Sequence, residues 1–326
     1  MTSRIASHLI AAVMTVLGLA TPGLAQDSWP TRPVKILTPL AAGGAADVLG
    51  RTVGDEFAAN IRQPVVIENR PGAGGTLAAN MAARSAPDGY TLFLGSAGAL
   101  SVTPVLSKNV PYDPLADFTP LTIAVELPIC LVVHKSLPVN NVQEFIAYAK
   151  ANPGKLSFGS SGPGSTHHLA GEFLKSQAGI DMVHIPYRGG NPAMTDLLAG
   201  QIPVLFATLS TTLPHLKGGS LKVLGMVEAT RSRSQPNIPT IGETVPGYAV
   251  PSSWLGFLGP AGIPEGLAQR ISAAFVKAMQ VPAVRKTLED SGFEIVAGTS
   301  AEFAGVLKSS LERYRKIAAD ARIEAQ

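Results

Sequence analysis

The hydrophobic pattern of residues 34–70 predicts a strand, a glycine-rich turn, a helix and a second strand. A short apolar run ends at Pro39, and apolar residues then recur at helical spacing as far as Phe57, before a second apolar run at 65–67. A helix N-terminus carries free N–H groups and a partial positive charge. Glycine lets a ligand approach that backbone closely. We therefore expect this turn to form half of an anion-binding cleft, whose other half lies near residue 160.

The same alternation continues through two further units. A second glycine-rich turn, residues 69–75, precedes a predicted helix at 76–85, with Leu77 and Met81 on one face. A third strand leads into a third turn of small residues, which contains Ser96. This alternation is typical of a parallel sheet. The turns that follow such strands gather at one edge of the sheet, where ligands bind.

A second series of strands and helices follows a long extended segment. Residues 118–134 are apolar and long enough to pass from one sheet into another. A Pro-rich connection, 231–251, then leads to a short apolar return strand that begins at Trp254. The last helix is predicted at 300–321, and we expect the C-terminal helices to pack on the first domain. The pattern indicates an α/β protein of two Rossmann-like lobes, joined by two crossings around a hinged cleft.

The two crossings define the predicted domains. Residues 26–126 together with 253–326 form domain 1, and residues 127–252 form domain 2. Residues 1–25 have the features of a secretory signal peptide, because one positive residue precedes an apolar core of about a dozen residues and a small-x-small site ends at Ala25. That core is too short to span a bilayer. A membrane anchor is the alternative, and we favour a soluble, exported mature protein.

Composition excludes some classes of protein. The chain has 326 residues, 46% of them hydrophobic and 15% charged, with a formal net charge of +3. We find no basic run with interleaved aromatic residues, so nucleic-acid binding is not predicted. The single cysteine, Cys130, lies in an apolar run. It cannot form an intramolecular disulfide, and we expect it to act as a small buried hydrophobe.

Neither glycine-rich turn has a nucleotide-binding fingerprint. The turn at 42–47 lacks the G-x-G-x-x-G spacing, and the chain contains no P-loop motif. No cofactor is therefore predicted. A tight strand-to-helix connection without a ligand is the alternative for this turn. Asp47 fits a structural acceptor near the first helical turn better than it fits a catalyst.

The segment near residue 160 is rich in hydroxyl groups at a predicted helix start. These hydroxyls and the neighbouring N–H groups suit a carboxylate without a formal positive charge nearby. Simple N-capping by Ser165 or Thr166 is the alternative. Arg70 and Arg188 are the charges nearest the turns, and salt bridges are favoured over an acidic ligand for both.

The sequence argues against an enzyme and against a metal site. His167 and His168 are adjacent, so they diverge on a helix and lack the spacing of a metal-binding pair. An exported serine hydrolase is the main enzymatic alternative. No G-x-S-x-G motif surrounds Ser96, Ser160 or Ser161, and no Ser/His/Asp order is evident.

Several short motifs occur in a fixed order along the mature chain: residues 29–35 (WPTRPVK), 42–44 with Asp47, 68–75 (ENRPGAGG), 87–92 (PDGYTL), 159–165 (GSSGPGS), 184–189 (HIPYRG), 196–201 (DLLAGQ) and 260–264 (PAGIP). Singly they are weak signals, but their order and spacing are specific. The chain resembles the Bug family, the exported substrate-binding proteins associated with tripartite tricarboxylate transporters.

The resemblance implies a two-lobed periplasmic-binding-protein architecture that closes over a small organic carboxylate. It also implies a periplasmic location and the membrane components of a tripartite tricarboxylate-type transporter as partners, and we expect a monomer. The first glycine-rich turn would hold one carboxylate through backbone groups, and the second lobe would meet the far end of the ligand. The candidate ligand-binding residues are Leu40, Ala41, Ala42, Gly43, Gly44, Asp47, Ser96, Ser161, Gly164, Ser165, Thr166 and Ala207.

Two departures from the family pattern bear on the ligand. Leu40 stands where the family often has an aromatic residue, so a stacking surface is absent. Ala207 stands where the family often has an Asp that could receive an amino group, which argues against an amino-acid ligand. A ligand-sensing protein that feeds a signalling receptor is the second functional hypothesis, since it would use the same cleft.

Overall fold

The computed structural model describes residues 29–216, 218–323 and 325, so the predicted signal peptide lies outside the described residues. The fold is α/β, as predicted, with two sheets that each have helices on both faces. Its strands are β1 Val34–Thr38, β2 Val65–Asn69, β3 Thr91–Ser96, β4 Phe118–Leu127, β5 Ile129–His134, β6 Ser157–Ser160, β7 Val183–Pro186, β8 Val204–Thr208, β9 Leu221–Met226, β10 Ser253–Pro260 and β11 Glu294–Ile295.

The α-helices follow the predicted periodicity closely. They are α1 Ala45–Ile61, α2 Thr76–Ala83, α3 Thr103–Leu106, α4 Val142–Ala151, α5 Thr166–Ala178, α6 Gly190–Leu198, α7 Leu209–Leu216, α8 Glu265–Gln280, α9 Pro282–Asp290 and α10 Ser300–Asp320. A π-helical turn, Gly98–Val102, precedes α3. In the described part of the chain, no helix combines the length and the apolar character needed to cross a membrane.

Both sheets are mixed, whereas the strand–helix alternation predicted parallel sheets. The first has the order β11-β4-β10-β3-β1-β2, and the second has the order β7-β6-β8-β5-β9. Strand β1 pairs in parallel with β2 and β3, and β6 pairs in parallel with β7 and β8. Strand β10 instead lies antiparallel between β3 and β4, because the chain returns to the first sheet from the second. Strand β5 is likewise antiparallel to both its neighbours.

The extended segment at 118–134 passes from one sheet to the other, as predicted. Strand β4 ends at Leu127 in the first sheet, and β5 begins at Ile129 in the second. Pro128 lies between them, and its carbonyl accepts the Leu209 N–H at 2.7 Å. The return path begins beside it, where the Val227 N–H donates to the Ile129 carbonyl at 3.0 Å. The chain re-enters the first sheet at Ser253, which pairs with Leu127, so the two crossings are adjacent.

Helix α2 exposes the residues that we predicted on one face. Leu77 is 49% exposed and Met81 is 37% exposed, while Ala78, Ala79 and Ala82 are fully buried. The buried face consists of alanines because the helix lies close to the first sheet, where small side chains fit. Leu77 and Met81 therefore share one face, as predicted, and that face is the exposed one.

The last helix, α10, packs on both cores and not on the first alone. Phe303 and Leu307 belong to the core of the first sheet. Tyr314 and Ile317, further along the same face, belong to the core of the second sheet. A single apolar stripe thus connects the two halves of the molecule on the side of the C-terminal helix.

Candidate functional site

The first glycine-rich turn presents backbone to the solvent. Leu40, Ala41, Ala42 and Gly43 are exposed, and Gly44, the N-cap residue of helix α1, offers no side-chain cap. The Asn69 amide donates to the Leu40 carbonyl at 3.0 Å, which holds the turn against the end of β2. The first N–H groups of a helix have no partner within the helix. This turn can therefore donate several backbone hydrogen bonds to an anion.

Asp47 braces the same turn from within. Its Oδ2 atom accepts the Gly43 N–H at 3.0 Å and the Arg51 Nε–H at 3.0 Å. The hydrogen bond from Arg51 is the main reason why the pKa of this carboxyl is lowered, with a further contribution from Gly43. Asp47 is thus ionised at neutral pH, and it occupies the Gly43 N–H that an anion could otherwise use.

Positive charges near the turn are already paired with carboxylates. Arg70 forms a salt bridge with Glu68, and Lys35 lies 2.8 Å from the same carboxylate. Arg51 pairs with Asp47. The salt-bridge interpretation of Arg70 is therefore confirmed. An anion at the turn would meet backbone dipoles before it met a free cation.

The second and third turns lie against the first. Gly75 has a positive φ of 94°, and a Cβ atom at this position would lie 2.7 Å from the Ala99 Cβ and 3.0 Å from the Pro39 Cβ. Only glycine fits this junction of three segments. Ser96 is buried, and its Oγ atom accepts the Ala99 N–H at 3.2 Å. Ser96 therefore shapes the third turn.

Thr103 brings the second sheet to this junction. Its hydroxyl donates to the Gly74 carbonyl at 3.0 Å. A Cβ atom at Gly164 would lie 3.2 Å from the same hydroxyl oxygen. The glycine-rich turns of the first sheet and the 160–166 turn of the second therefore meet at Thr103. No local sequence pattern indicates a role for Thr103, because that role depends on contacts between distant segments.

Helix α5 begins with a side-chain cap, unlike α1. Ser165 is the N-cap residue, and its Oγ atom accepts the His168 N–H at 3.1 Å and donates to the Gly162 carbonyl at 2.6 Å. The N-capping alternative thus describes Ser165. Thr166 is 4% exposed.

Two serine hydroxyls of this turn pair with histidines. The Ser161 Oγ lies 2.8 Å from the His167 Nδ1, and the Ser160 Oγ lies 2.7 Å from the His184 Nε2. The His168 ring stacks on the His184 ring, with centroids 4.1 Å apart. The sequence revealed neither pair, since Ser160 and His184 are 24 positions apart and belong to neighbouring strands.

Burial keeps these imidazoles uncharged. It lowers the pKa of His167 to about 4. The pKa of His184 falls to about 4 as well, mainly through burial and also through the proximity of His168. Burial likewise lowers the pKa of His168. In residues 29–216 and 218–323 no group of three or more His, Cys, Asp or Glu side chains is arranged to hold a metal ion.

Ala207 lies deeper than the other candidate residues. It is 1% exposed in β8 and belongs to the same core cluster as Cys130 and Leu209. Cys130 is itself fully buried, as predicted, and its thiol donates to the Ala207 carbonyl at 3.5 Å. Contact between Ala207 and a ligand stays a prediction.

Comparison with solved structures shows the two-lobed architecture of periplasmic binding proteins. A protein of R. palustris solved with adipate is 32% identical, covers 91% of this chain and 99% of its own, and superposes with a TM-score of 0.85. MatC from Rhodopseudomonas palustris, solved with bound malate, is 30% identical, covers 89% and 99% of the two chains, and gives a TM-score of 0.81. The periplasmic binding protein BugD is 30% identical over 91% of this chain and 100% of its own, with a TM-score of 0.82.

Sequence comparison agrees with the structural one. A UPF0065 protein of Bordetella bronchiseptica is 33% identical over 97% of this chain and 93% of its own length. Protein BugT of Bordetella pertussis is 31% identical over 94% of each chain. The model of the tripartite tricarboxylate transporter family receptor matches residues 49–322. The resemblance inferred from the motifs is thus confirmed, and the chain belongs to the family of tripartite tricarboxylate transporter receptors.

Proposed function

We propose that this protein captures a small organic carboxylate in the periplasm, by closure of two lobes, and delivers it to the membrane components of a tripartite tricarboxylate-type transporter. The observation that carries the proposal is the meeting at Thr103 of two different anion-suited turns, one from each sheet. A ligand that touches both turns binds the closed state more tightly than the open state, and so shifts the population toward closure.

The lobes of this proposal are residues 26–126 with 253–326, and residues 127–252. The strands of the two sheets divide at Pro128 and again between β9 and β10, which supports these boundaries. The adjacent crossings form the hinge, and α10 spans both lobes beside it.

We propose a monomer, because a receptor must both open for its ligand and dock on its transporter.

The periplasmic location is supported by the signal peptide predicted at residues 1–25. It is also supported by two similar proteins, one described as a periplasmic transporter and one as a periplasmic binding protein. A ligand-sensing role for a signalling receptor is the alternative. It would use the same cleft, so only the identity of the captured partner separates the two roles.

The proposed ligand is an aliphatic di- or tricarboxylate, or an aromatic carboxylate. Relatives were solved with adipate and with malate, both dicarboxylates. Alanine at position 207 supplies no carboxylate for an amino group. The free N–H groups at the start of α1 suit one carboxylate, and the hydroxyls of the 160–166 turn suit the polar far end.

The Ser161–His167 pair bears on the hydrolase alternative. A serine nucleophile needs a base that accepts its proton and a third group that orients the base. Burial lowers the pKa of His167 to about 4, so it is a weak base, and its Nε2 atom has no hydrogen-bond partner among the described residues. We therefore propose binding without bond cleavage.

A thermal-shift screen of the mature protein from Gln26 tests the proposal. The panel holds adipate, malate, tricarboxylates, aromatic acids, aspartate, glutamate and neutral sugars. A ligand at about 100 times its Kd adds about 2.7 kcal/mol to the free energy of unfolding. We expect one class of acid to raise the melting temperature by several degrees and to be recovered unchanged.

Two results would contradict this proposal. The first is a panel without any shift, together with no organic acid in mass spectra of the denatured protein. The second is turnover of an ester that is lost in Ser161→Ala, which would favour the hydrolase. Saturable binding of aspartate or glutamate would overturn only the argument from Ala207.

A further inference from the structure

The two serine–histidine pairs differ in exposure. Ser160 is fully buried, and its hydroxyl lies between the His184 ring, the Gly162 carbonyl and the Gly162 N–H. Ser161 is partly exposed, and its hydroxyl has one protein partner in the described chain, the His167 Nδ1 at 2.8 Å. Only Ser161 therefore has hydrogen-bonding capacity left for a ligand.

The surroundings of His167 restrict its protonation. The side chain is 7% exposed and lies in the first turn of α5. The positive end of the helix and the loss of water both disfavour an imidazolium at this position. Burial lowers the pKa of His167 to about 4, so the ring is neutral at the pH of most cell compartments.

A neutral imidazole carries one N–H, and the contacts decide which nitrogen carries it. The Nε2 atom is buried without a hydrogen-bond partner among the described residues. A proton on Nε2 would leave a buried donor unsatisfied, and orphaned buried N–H groups are rarer than under-satisfied acceptors. A proton on Nδ1 instead donates to Ser161 at 2.8 Å. The Nδ1–H tautomer is therefore favoured.

We propose that His167 is a positioning residue that fixes the Ser161 hydroxyl as a donor toward the ligand. Because the His167 Nδ1–H donates to the Ser161 oxygen, the hydroxyl proton must point elsewhere, toward the open side of the turn. The second lobe then selects ligands whose far end accepts a hydrogen bond, such as a second carboxylate, over ligands that end in an ammonium group. This inference rests on the proposed binding function and narrows its ligand class.

The first test needs no ligand. Histidine labelled with ¹⁵N reports the protonated ring nitrogen in NMR spectra, and the mature chain contains five histidines. Loss of one signal set in His167→Asn assigns His167. We expect the Nδ1–H tautomer, without titration between about pH 5 and 8. An Nε2–H tautomer or an imidazolium at pH 7 would overturn the proposal, whether or not a carboxylate binds.

The second test measures affinity for adipate and malate by calorimetry. Asn at position 167 can donate from an amide nitrogen near the place of Nδ1, whereas Asp can only accept. We expect His167→Asn to bind within about threefold of wild type, and His167→Asp to bind about ten- to a hundredfold more weakly, because a charge-assisted hydrogen bond is lost. Equal affinities of the two variants would contradict the proposal.

A matched pair on the surface supplies the control. The His134 Nδ1 lies 2.7 Å from the Ser136 Oγ in an exposed turn. His134→Asn should leave the affinity unchanged. Should His167→Asp fail to fold, Ser161→Ala provides the second variant, and we expect the same loss of affinity for adipate and malate. The double variant Ser161→Ala/His167→Asn should bind these acids as tightly as Ser161→Ala alone. If wild type binds no acid while the Nδ1–H tautomer is observed, the proposed function fails and the positioning of the hydroxyl stands.

Discussion

The two turns that meet at Thr103 differ in what they offer a ligand. The first, residues 40–44, is largely exposed and has small or aliphatic side chains, and its helix follows Gly44 without a side-chain cap. The second, residues 160–166, carries hydroxyls that are tied to histidines, and its helix is capped by Ser165. One turn presents backbone, and the other presents oriented side chains.

This difference separates affinity from selectivity. Backbone N–H groups at a helix start attract any carboxylate, because they supply donors and a positive dipole without a side chain to read the rest of the ligand. An oriented hydroxyl accepts or rejects a particular group, because a buried mismatch leaves polar atoms unpaired. We therefore expect the first lobe to bind carboxylates of many kinds and the second lobe to determine which ligands are selected.

The largest expected effect on the free energy of unfolding concerns Glu228, in the return crossing between the two sheets. Glu228 is 7% exposed at the start of the return crossing, and its Oε1 atom accepts the Ile129 N–H at 2.8 Å. Burial raises the pKa of Glu228 to about 8, and the nearby carboxylates of Glu294 and Glu126 add to the shift. The folded protein thus favours the protonated form.

The pKa shift of Glu228 predicts a loss of stability as pH rises. Because the pKa in the fold lies above the ordinary glutamate value of 4.5, the folded chain binds more protons than the unfolded chain between about pH 5 and 8. The free energy of unfolding therefore falls across this window, by at most about 1.4 kcal/mol per pH unit. Glu228→Gln has no proton to lose at this position, so its free energy of unfolding should lack this pH dependence. In urea unfolding, the variant should therefore gain stability relative to wild type as the pH rises from about 5 to 8.

Two controls test whether the pH dependence comes from Glu228 and whether the two turns are unaffected by its substitution. Glu312→Gln, at an exposed site on α10, should unfold with the pH dependence of wild type. Affinity for adipate or malate should be similar in Glu228→Gln and wild type, because Glu228 lies in neither turn. A difference in unfolding free energy that does not vary with pH would show that Glu228 is ionised in the fold.

The sequence predicted the first turn better than the second. Glycines, the break at Pro39 and the helical spacing up to Phe57 are local features, and they were sufficient for β1, the turn and α1. The apolar run at 118–134 likewise predicted the crossing between the sheets. Such elements are determined by residues that are close together in the chain.

Contacts between distant segments could not be predicted in this way. The pairing of Ser160 with His184 depends on parallel pairing of β6 and β7. The position of β10 between β3 and β4 depends on a return from the second sheet. The exposed face of α2 depends on how closely it packs, which apolar spacing does not reveal. The side chains that we expect to set specificity belong to this group.

The next effect concerns the capped turn. Ser165→Ala removes the acceptor of the His168 N–H and the donor to the Gly162 carbonyl, so we expect a loss of about 1 kcal/mol in the free energy of unfolding. Urea denaturation of the ligand-free protein measures it. Thr299→Ala, which removes the cap of α10, should cost a similar amount without altering affinity for adipate. An unchanged urea midpoint for Ser165→Ala would show that the Ser165 cap does not stabilise α5. The two turns would then not differ in the stability that capping contributes.

The smallest expected change in the free energy of unfolding comes from a substitution in the uncapped first turn, at Gly44. Gly44 has an extended backbone, φ −85° and ψ 177°, and a Cβ atom there would contact only the Ala41 carbonyl, at 3.4 Å. Gly44→Ser should therefore fold and add an N-cap, which raises the free energy of unfolding by a few tenths of a kcal/mol. Its hydroxyl would occupy an N–H group that the ligand needs, so affinity for adipate should fall several-fold in calorimetry. Gly44→Ala is the matched control, since it adds a Cβ without an acceptor. If both variants bind adipate equally well, the free N–H groups of α1 do not hold the carboxylate, and the first lobe recognises its ligand in some other way.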